Sequence, residues 1–347
     1  MGIRIGVVAE VSVAARGAVA AVLAFALTAC FASGRGTVES TNGQTTTSGT
    51  QASASADSAG PPEPPPAPAA ASAPPEPTPV ARPELPRGGR KLFPTYELVG
   101  FCGTPGAGPA LGRLEGNLSA KATVIEGYAG KYAVKRKTLP VFELIAVVVQ
   151  GWPGPDGKYR RRVDDAVVED YLKAARASKA LLLLNIQPGQ SDFVTEVQHF
   201  EKYLHEPDVG IALDPEWAMK TGQKPGKVFG QTTGETINEV AAYMSSIVQQ
   251  GDLPEKALVF HEVHPGVVKG ETVVKPFDGV AVIKSVDGLG PKHAKIKTYD
   301  YLMGLMTPGV HPGFKLFFDE DRLNGGVLMT PSEVLGLAPP PEYVMYE

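Results

Sequence analysis

The stretch Ala180-Leu181-Leu182-Leu183-Leu184-Asn185-Ile186, followed by Gln187-Pro188-Gly189-Gln190-Ser191-Asp192, decides how this chain folds. Seven residues are too few for a stable helix. An apolar run without polar alternation must be covered on both faces, which is how buried parallel strands read. The Pro-Gly turn then ends the run, and Asp192 is suited to cap a following helix.

Seven further runs share this character: Tyr96–Cys102, Val141–Val149, Val209–Leu213, Ala257–Phe260, Gly279–Lys284, Phe314–Phe318 and Tyr343–Tyr346. Amphipathic stretches lie between them. Arg162–Ala177 places Val163, Val167 and Tyr171 four apart, and Asp192–Leu204 places Phe193, Val197, Phe200 and Leu204 on one face. Thr233–Gln250 starts at a capping Thr and ends before Gly251. A short helical segment at Pro331–Leu337 follows the seventh run, and nothing helical follows the eighth. Eight strands with intervening helices over residues 96–347 predict an α/β fold, a (β/α)8 TIM-like barrel. The competing architecture is a doubly wound open sheet. Its glycine-rich turn is missing, because Gly103-Thr104-Pro105-Gly106-Ala107-Gly108 does not match G-x-G-x-x-G. No nucleotide cofactor is expected.

Upstream of the barrel the composition differs. Arg4 and Arg16 precede an apolar run from Gly17 to Ala26, which ends in Leu27-Thr28-Ala29-Cys30. Such a run has the length of a signal h-region and is too short to span a bilayer comfortably. Leu-Thr-Ala-Cys resembles the lipobox of bacterial lipoproteins. That resemblance implies removal of residues 1–29 as a signal peptide, acylation of Cys30, and attachment to membrane lipid. Residues 30–95 read as a disordered linker, rich in Ser, Thr and Gly and then in Pro and Ala, as in Pro61-Pro62-Glu63-Pro64-Pro65-Pro66. A flexible coil followed by a polyproline-II spacer reaches on the order of 100 Å. The barrel is therefore expected outside the cytoplasm, tethered to the cell membrane or an outer membrane. Cys102 is the other cysteine, so with Cys30 acylated no intramolecular disulfide forms and the domain relies on packing. Losing Arg4, Arg16 and Glu10 with the signal takes the net charge from −4 to −5. Mild acidity gives no basic footprint for nucleic acid.

On a barrel, chemistry is carried by the loops that follow each strand. Gln150-Gly151-Trp152-Pro153 follows the second run and Gln187 opens the segment after the third. Asp214-Pro215-Glu216-Trp217 follows the fourth, His261-Glu262-Val263-His264 the fifth, and Asp319-Glu320-Asp321 the seventh. Trp152 and Trp217, flat platforms for a sugar ring, both fall on this face. Asp214, Glu216 and Glu262 are candidate acid, base or nucleophile at a glycosidic bond, with His261 orienting them. Trp152, Trp217, Gln187 and Asp319 are candidate substrate contacts. Each has a plainer reading. Asp214-Pro215 can be a turn capped by Trp217, His261 a satisfied core imidazole, and Asp319 part of a solvated loop.

The lipobox, the Pro-rich spacer, Asp-Pro-Glu-Trp and a strand ending Val-Phe-His together resemble bacterial surface lipoproteins with a TIM-barrel, glycosidase-like domain. The resemblance covers residues 96–347 and implies location and fold more than activity. The expected function is a tethered glycoside hydrolase-like enzyme acting on cell-wall or surface glycan. The alternatives are a non-catalytic barrel that binds glycan or protein, and a metal-dependent hydrolase. For the last, His261, Glu262 and His264 with Asp214 and Glu216 supply donors, although H-E-x-H is not the helical H-E-x-x-H spacing.

Overall fold

The computed structural model of the protein describes residues 81–347. The signal segment, Cys30 and most of the linker lie outside the described residues. In chain order the strands are β1 (Tyr96–Gly103), β2 (Lys137–Val149), β3 (Arg160–Arg162), β4 (Leu181–Ile186), β5 (Val209–Leu213), β6 (Thr232–Thr233), β7 (Lys256–Glu262), β8 (Val268–Lys269), β9 (Val280–Val286), β10 (His311–Leu316) and β11 (Tyr343–Tyr346). Eight of them run parallel in the order β1-β2-β4-β5-β7-β9-β10-β11. β1 pairs with β11 on one side and β2 on the other, so the sheet closes into a barrel. Closure rules out the open doubly wound sheet. β3 is an antiparallel addition to β2, and β6 pairs only with β8.

All eight expected strands are present, but the helical layer is thinner than a full (β/α)8 plan. The helices are α1 (Leu118–Ala129), α2 (Asp165–Ala177), α3 (Phe193–His199), α4 (Glu201–Leu204), α5 (Gly234–Gln250), α6 (Lys292–Met303) and α7 (Pro331–Leu335). The fifth crossover, β7 to β9, holds only β8 and a single 3₁₀ turn at Glu271–Val273. Its sequence explains this. Pro265, Gly266, Gly270 and Pro276 punctuate the segment too often for a helix. The expected helix over 192–204 is broken at Phe200, whose ψ of 14° departs from the helical value. Of the described residues, no helix is long and apolar enough to cross a membrane.

Two apolar clusters hold the barrel. One lies between sheet and helices, with Phe142, Leu184, Phe260, Ile237 and Tyr299 among its members. The other fills the interior with Leu98, Val141, Leu183, Val259, Ile283 and Tyr343. Leu85, Leu92 and Phe93 belong to this interior cluster as well. The folded part therefore begins earlier than the change of composition suggests, and residues 82–95 form a strap across the N-terminal end of the strands. The strap is bolted down by polar contacts. Arg90 donates to the carbonyls of Pro83 (2.6 Å) and Leu253 (3.0 Å), Leu92 N–H to Glu255 Oε2 (2.7 Å), and Tyr96 OH to the Arg87 carbonyl (2.8 Å). Pro-rich composition hid this, because the anchoring leucines are isolated. Leu92 is fully buried. Leu92→Ala is expected to cost about 2–4 kcal/mol in urea unfolding of the chain. A change below ~0.5 kcal/mol would mean that the strap is not part of the cooperative core.

Candidate active site

Side chains on a strand alternate, and in this barrel the inward positions change character along each strand. Near the N-terminal ends they are apolar. At the C-terminal ends they turn polar: Val141 gives way to Glu143, Leu183 to Asn185, Ala212 to Asp214, Val259 to His261, Ile283 to Ser285 and Met345 to Glu347. On β10 the sequence is Gly313 then Lys315. A Cβ at Gly313 would be tight, 3.1 Å from both the Ser285 Cα and the Tyr343 ring. One end of the barrel therefore holds a layer of ionisable groups with little contact with water.

The layer is a connected network. His261 Nδ1 lies 2.7 Å from Asp287 Oδ2, and its Nε2 lies 3.3 Å from Glu143 Oε1. The Tyr343 hydroxyl donates to the other oxygen of Glu143. Asn185 Nδ2 donates to Glu143 Oε1 (2.9 Å) and to Asp214 Oδ1 (3.0 Å). Gln187 Nε2 donates to Asp214 Oδ2 (3.0 Å), while its Oε1 accepts from Val149 N–H (3.2 Å), which fixes which way the amide faces. Lys315 Nζ pairs with Glu347 Oε2 (2.6 Å) and Asp287 Oδ2 (3.3 Å). Cys102 is free and buried, and its thiol donates to Glu347 Oε2 (3.4 Å).

Above this floor is a small, open-mouthed pocket with about 60 Å³ of free space. Asp214, Glu216, Asp287, Lys315 and Glu347 are its ionisable lining, and Leu111, Trp217, Phe229, Leu289 and Phe317 its apolar walls. Glu216 is placed by a 3₁₀ turn, Pro215–Trp217. Gly230 N–H holds its carbonyl at 2.6 Å, and Trp217 N–H holds the Asp214 carbonyl at 3.1 Å. Trp217 packs on Val149 and Met219. Behind the opposite wall, Lys295 pairs with Asp321 (3.1 Å), and Asp321 accepts from Phe317 N–H (3.0 Å).

The pocket separates carboxyls that burial would otherwise treat alike. Burial raises the pKa of Glu216 well above its usual value, and Asp214 and Asp287 push it further. Its Oε2 is buried and has no hydrogen-bond partner. Asp214 is also raised by burial, against the pull of His261 and Lys315. Burial works in the same direction on Asp287, but the charges of His261 and Lys315 outweigh it and bring the group down to about 2. His261 is held well above its usual value: burial disfavours its charge, but Asp287 and Glu143 more than compensate. Burial and like charge thus hold Glu216 toward its neutral, proton-bearing form, beside an Asp287 held toward its ionised one.

The sign for stability follows from Asp287. Its folded pKa is depressed, so its contribution is complete above the ordinary value near 4 and is lost as pH falls toward 2. Urea unfolding at pH 6 and at pH 2.5 should show this loss, on the order of 2 kcal/mol, and Asp287→Asn should flatten the acid limb. An unchanged limb in the variant would contradict the assignment.

Of the residues expected from sequence, Asp214, Glu216, Gln187 and Trp217 line one pocket. His261 is fully buried beneath it and acts through its neighbours. Glu262 is not part of the site. It is one residue out of phase with His261, points to the helical side, and pairs with Lys284 (3.0 Å), which also pairs with Glu271 (2.6 Å). Trp152 lies outside the lining, on the loop between β2 and β3, and is 43% exposed. Asp319 is an exposed rim residue paired with Arg113 (3.0 Å). His264 stacks on Phe229 at 5.7 Å, away from His261. Among the described residues no three His, Cys, Asp or Glu side chains gather as a metal-ligand set.

Glu143, Asn185, Asp287, Lys315 and Glu347 were not among the expected site residues. The signal for three of them, Glu143, Asn185 and Glu347, was in the sequence: a polar residue two positions beyond the last inward apolar one, on strand after strand. No protein-family model matches the chain, and no curated protein or solved structure matches it.

Proposed function

We propose that this chain is an exported, lipid-tethered glycosidase-like enzyme whose barrel acts on cell-wall or surface glycan. The observation that carries the reading is the Glu216 carboxyl. Its pKa is raised well above the usual value, one of its oxygens is buried without a partner, and it sits in a pocket with Asp214. A general acid at a glycosidic bond needs these properties. Glu216 gives its proton to the leaving oxygen as the bond to the anomeric carbon breaks. Water adds to that carbon and its proton passes to Asp214, held by Asn185 and Gln187. The excess of carboxylates in the floor favours the positive charge that develops on the sugar ring. Trp217 and Phe317 offer flat walls to the ring. Leu27-Thr28-Ala29-Cys30 and the Pro-rich spacer support the tether and the extracytoplasmic location.

The test is release of reducing ends from bacterial wall polysaccharides by the mature chain, with Asp214→Asn and Glu216→Gln as controls. Release by the parent that both variants abolish supports the reading. No release from any polymer, with binding retained, leaves a non-catalytic glycan-binding barrel in its place.

A further inference from the structure

The charged layer also bears on which ligand the pocket takes, an inference that rests on the glycan reading of the same site. Glu143, Asp214, Glu216, Asp287 and Glu347 supply carboxyls, and among the described residues of this layer only His261 and Lys315 supply cations. Both cations are committed. His261 is shared by Asp287 and Glu143, and Lys315 by Glu347 and Asp287. The nearby Lys295 is taken by Asp321, and the rim Arg113 by Asp319. The carboxyls of this floor outnumber its two cations, and Asp214 faces the pocket with no Lys, Arg or His at ion-pair distance among the described residues. The side chains that donate to it, Asn185 and Gln187, are neutral amides.

We propose that the pocket selects ligands by charge, accepting a polyhydroxylated unit that carries an ammonium group, such as a sugar with a free amine, and rejecting acidic sugars. An ammonium at the floor offsets part of this excess. A carboxylate or phosphate there adds to an uncompensated excess in a medium of low effective dielectric.

Three probes of nearly the same shape separate charge from fit: tris(hydroxymethyl)aminomethane, pentaerythritol and 2,2-bis(hydroxymethyl)propionate. They are titrated into the mature chain carrying Trp152→Phe, at constant ionic strength and pH 7. Trp217, the remaining tryptophan, lies in the pocket wall and reports occupancy through its fluorescence. The ammonium probe is expected to bind at least about 10-fold more tightly than the neutral one, and the carboxylate to give no saturable change. Asp214→Asn should reduce the preference for the ammonium about 10-fold or more. If that variant does not fold, competition between the probes on the parent chain still ranks them. Equal binding of the three probes, or tighter binding of the carboxylate, overturns the proposal. Because hydrolysis is not read, charge-selective binding without any glycan cleavage would sink the enzyme reading alone. Cleavage of a uronic-acid polymer would sink charge selection alone.

Discussion

Glu216→Gln is expected to lower glycan hydrolysis by about 10²–10⁴-fold while leaving the barrel folded. The amide keeps the shape of the side chain and of its 3₁₀ turn but has no acidic proton to give. The same change should raise stability at alkaline pH. Burial and the neighbouring Asp214 and Asp287 hold the Glu216 pKa well above its usual value. Such a group favours the folded state at low pH and loses that contribution as pH rises toward the folded pKa. An amide that cannot ionise escapes this loss. The melting temperature of the variant should therefore exceed that of the parent at pH 8 by more than it does at pH 4. Reduced stability at pH 8 together with unchanged hydrolysis would remove Glu216 from its assigned role.

Lys315→Met should be the most damaging single change to the fold, at about 3–5 kcal/mol. The side chain is buried and its ammonium stands between Asp287 and Glu347. Removing it leaves the half-buried Glu347 without its cation and the buried Asp287 with His261 alone. The Cys102 thiol, which donates to the same Glu347 oxygen, offers little compensation. Combining Lys315→Met with Glu347→Gln removes one of these charges and should recover a substantial part of the loss. Urea unfolding of the two single variants and the pair measures the coupling. A cost near zero for Lys315→Met, or strict additivity in the pair, would show that the interior charges do not depend on one another.

The barrel was legible because parallel strands buried on both faces must be apolar throughout, and runs such as Leu181–Ile186 and Val209–Leu213 are. The missing fifth helix was not read, although Pro265, Gly266, Gly270 and Pro276 argue against one. The strap was not legible, because its few anchors, Leu85 and the pair Leu92-Phe93, lie in a segment whose composition argues for disorder. Half of the site is legible in the residues just after each strand. Asp214, Glu216 and Gln187 are found there, at or just beyond strand ends. Glu262 is misplaced by the same reasoning, because adjacent residues at a strand end face opposite sides. Glu143 and Lys315 escape it, since they sit within strands among apolar neighbours. Pairing across strands supplies the information that local pattern lacks: only the closed sheet brings Glu143 of β2 against His261 of β7.

The measurement that bears most directly on the central claim compares Glu216→Gln with the parent on two substrates of the same sugar. One is an unactivated glycoside and the other an aryl glycoside whose leaving group departs without protonation. If Glu216 is the proton donor, the variant loses about 10²-fold or more on the first and recovers most of that on the second. An equal loss on both substrates would contradict the assignment and return the pocket to a binding role.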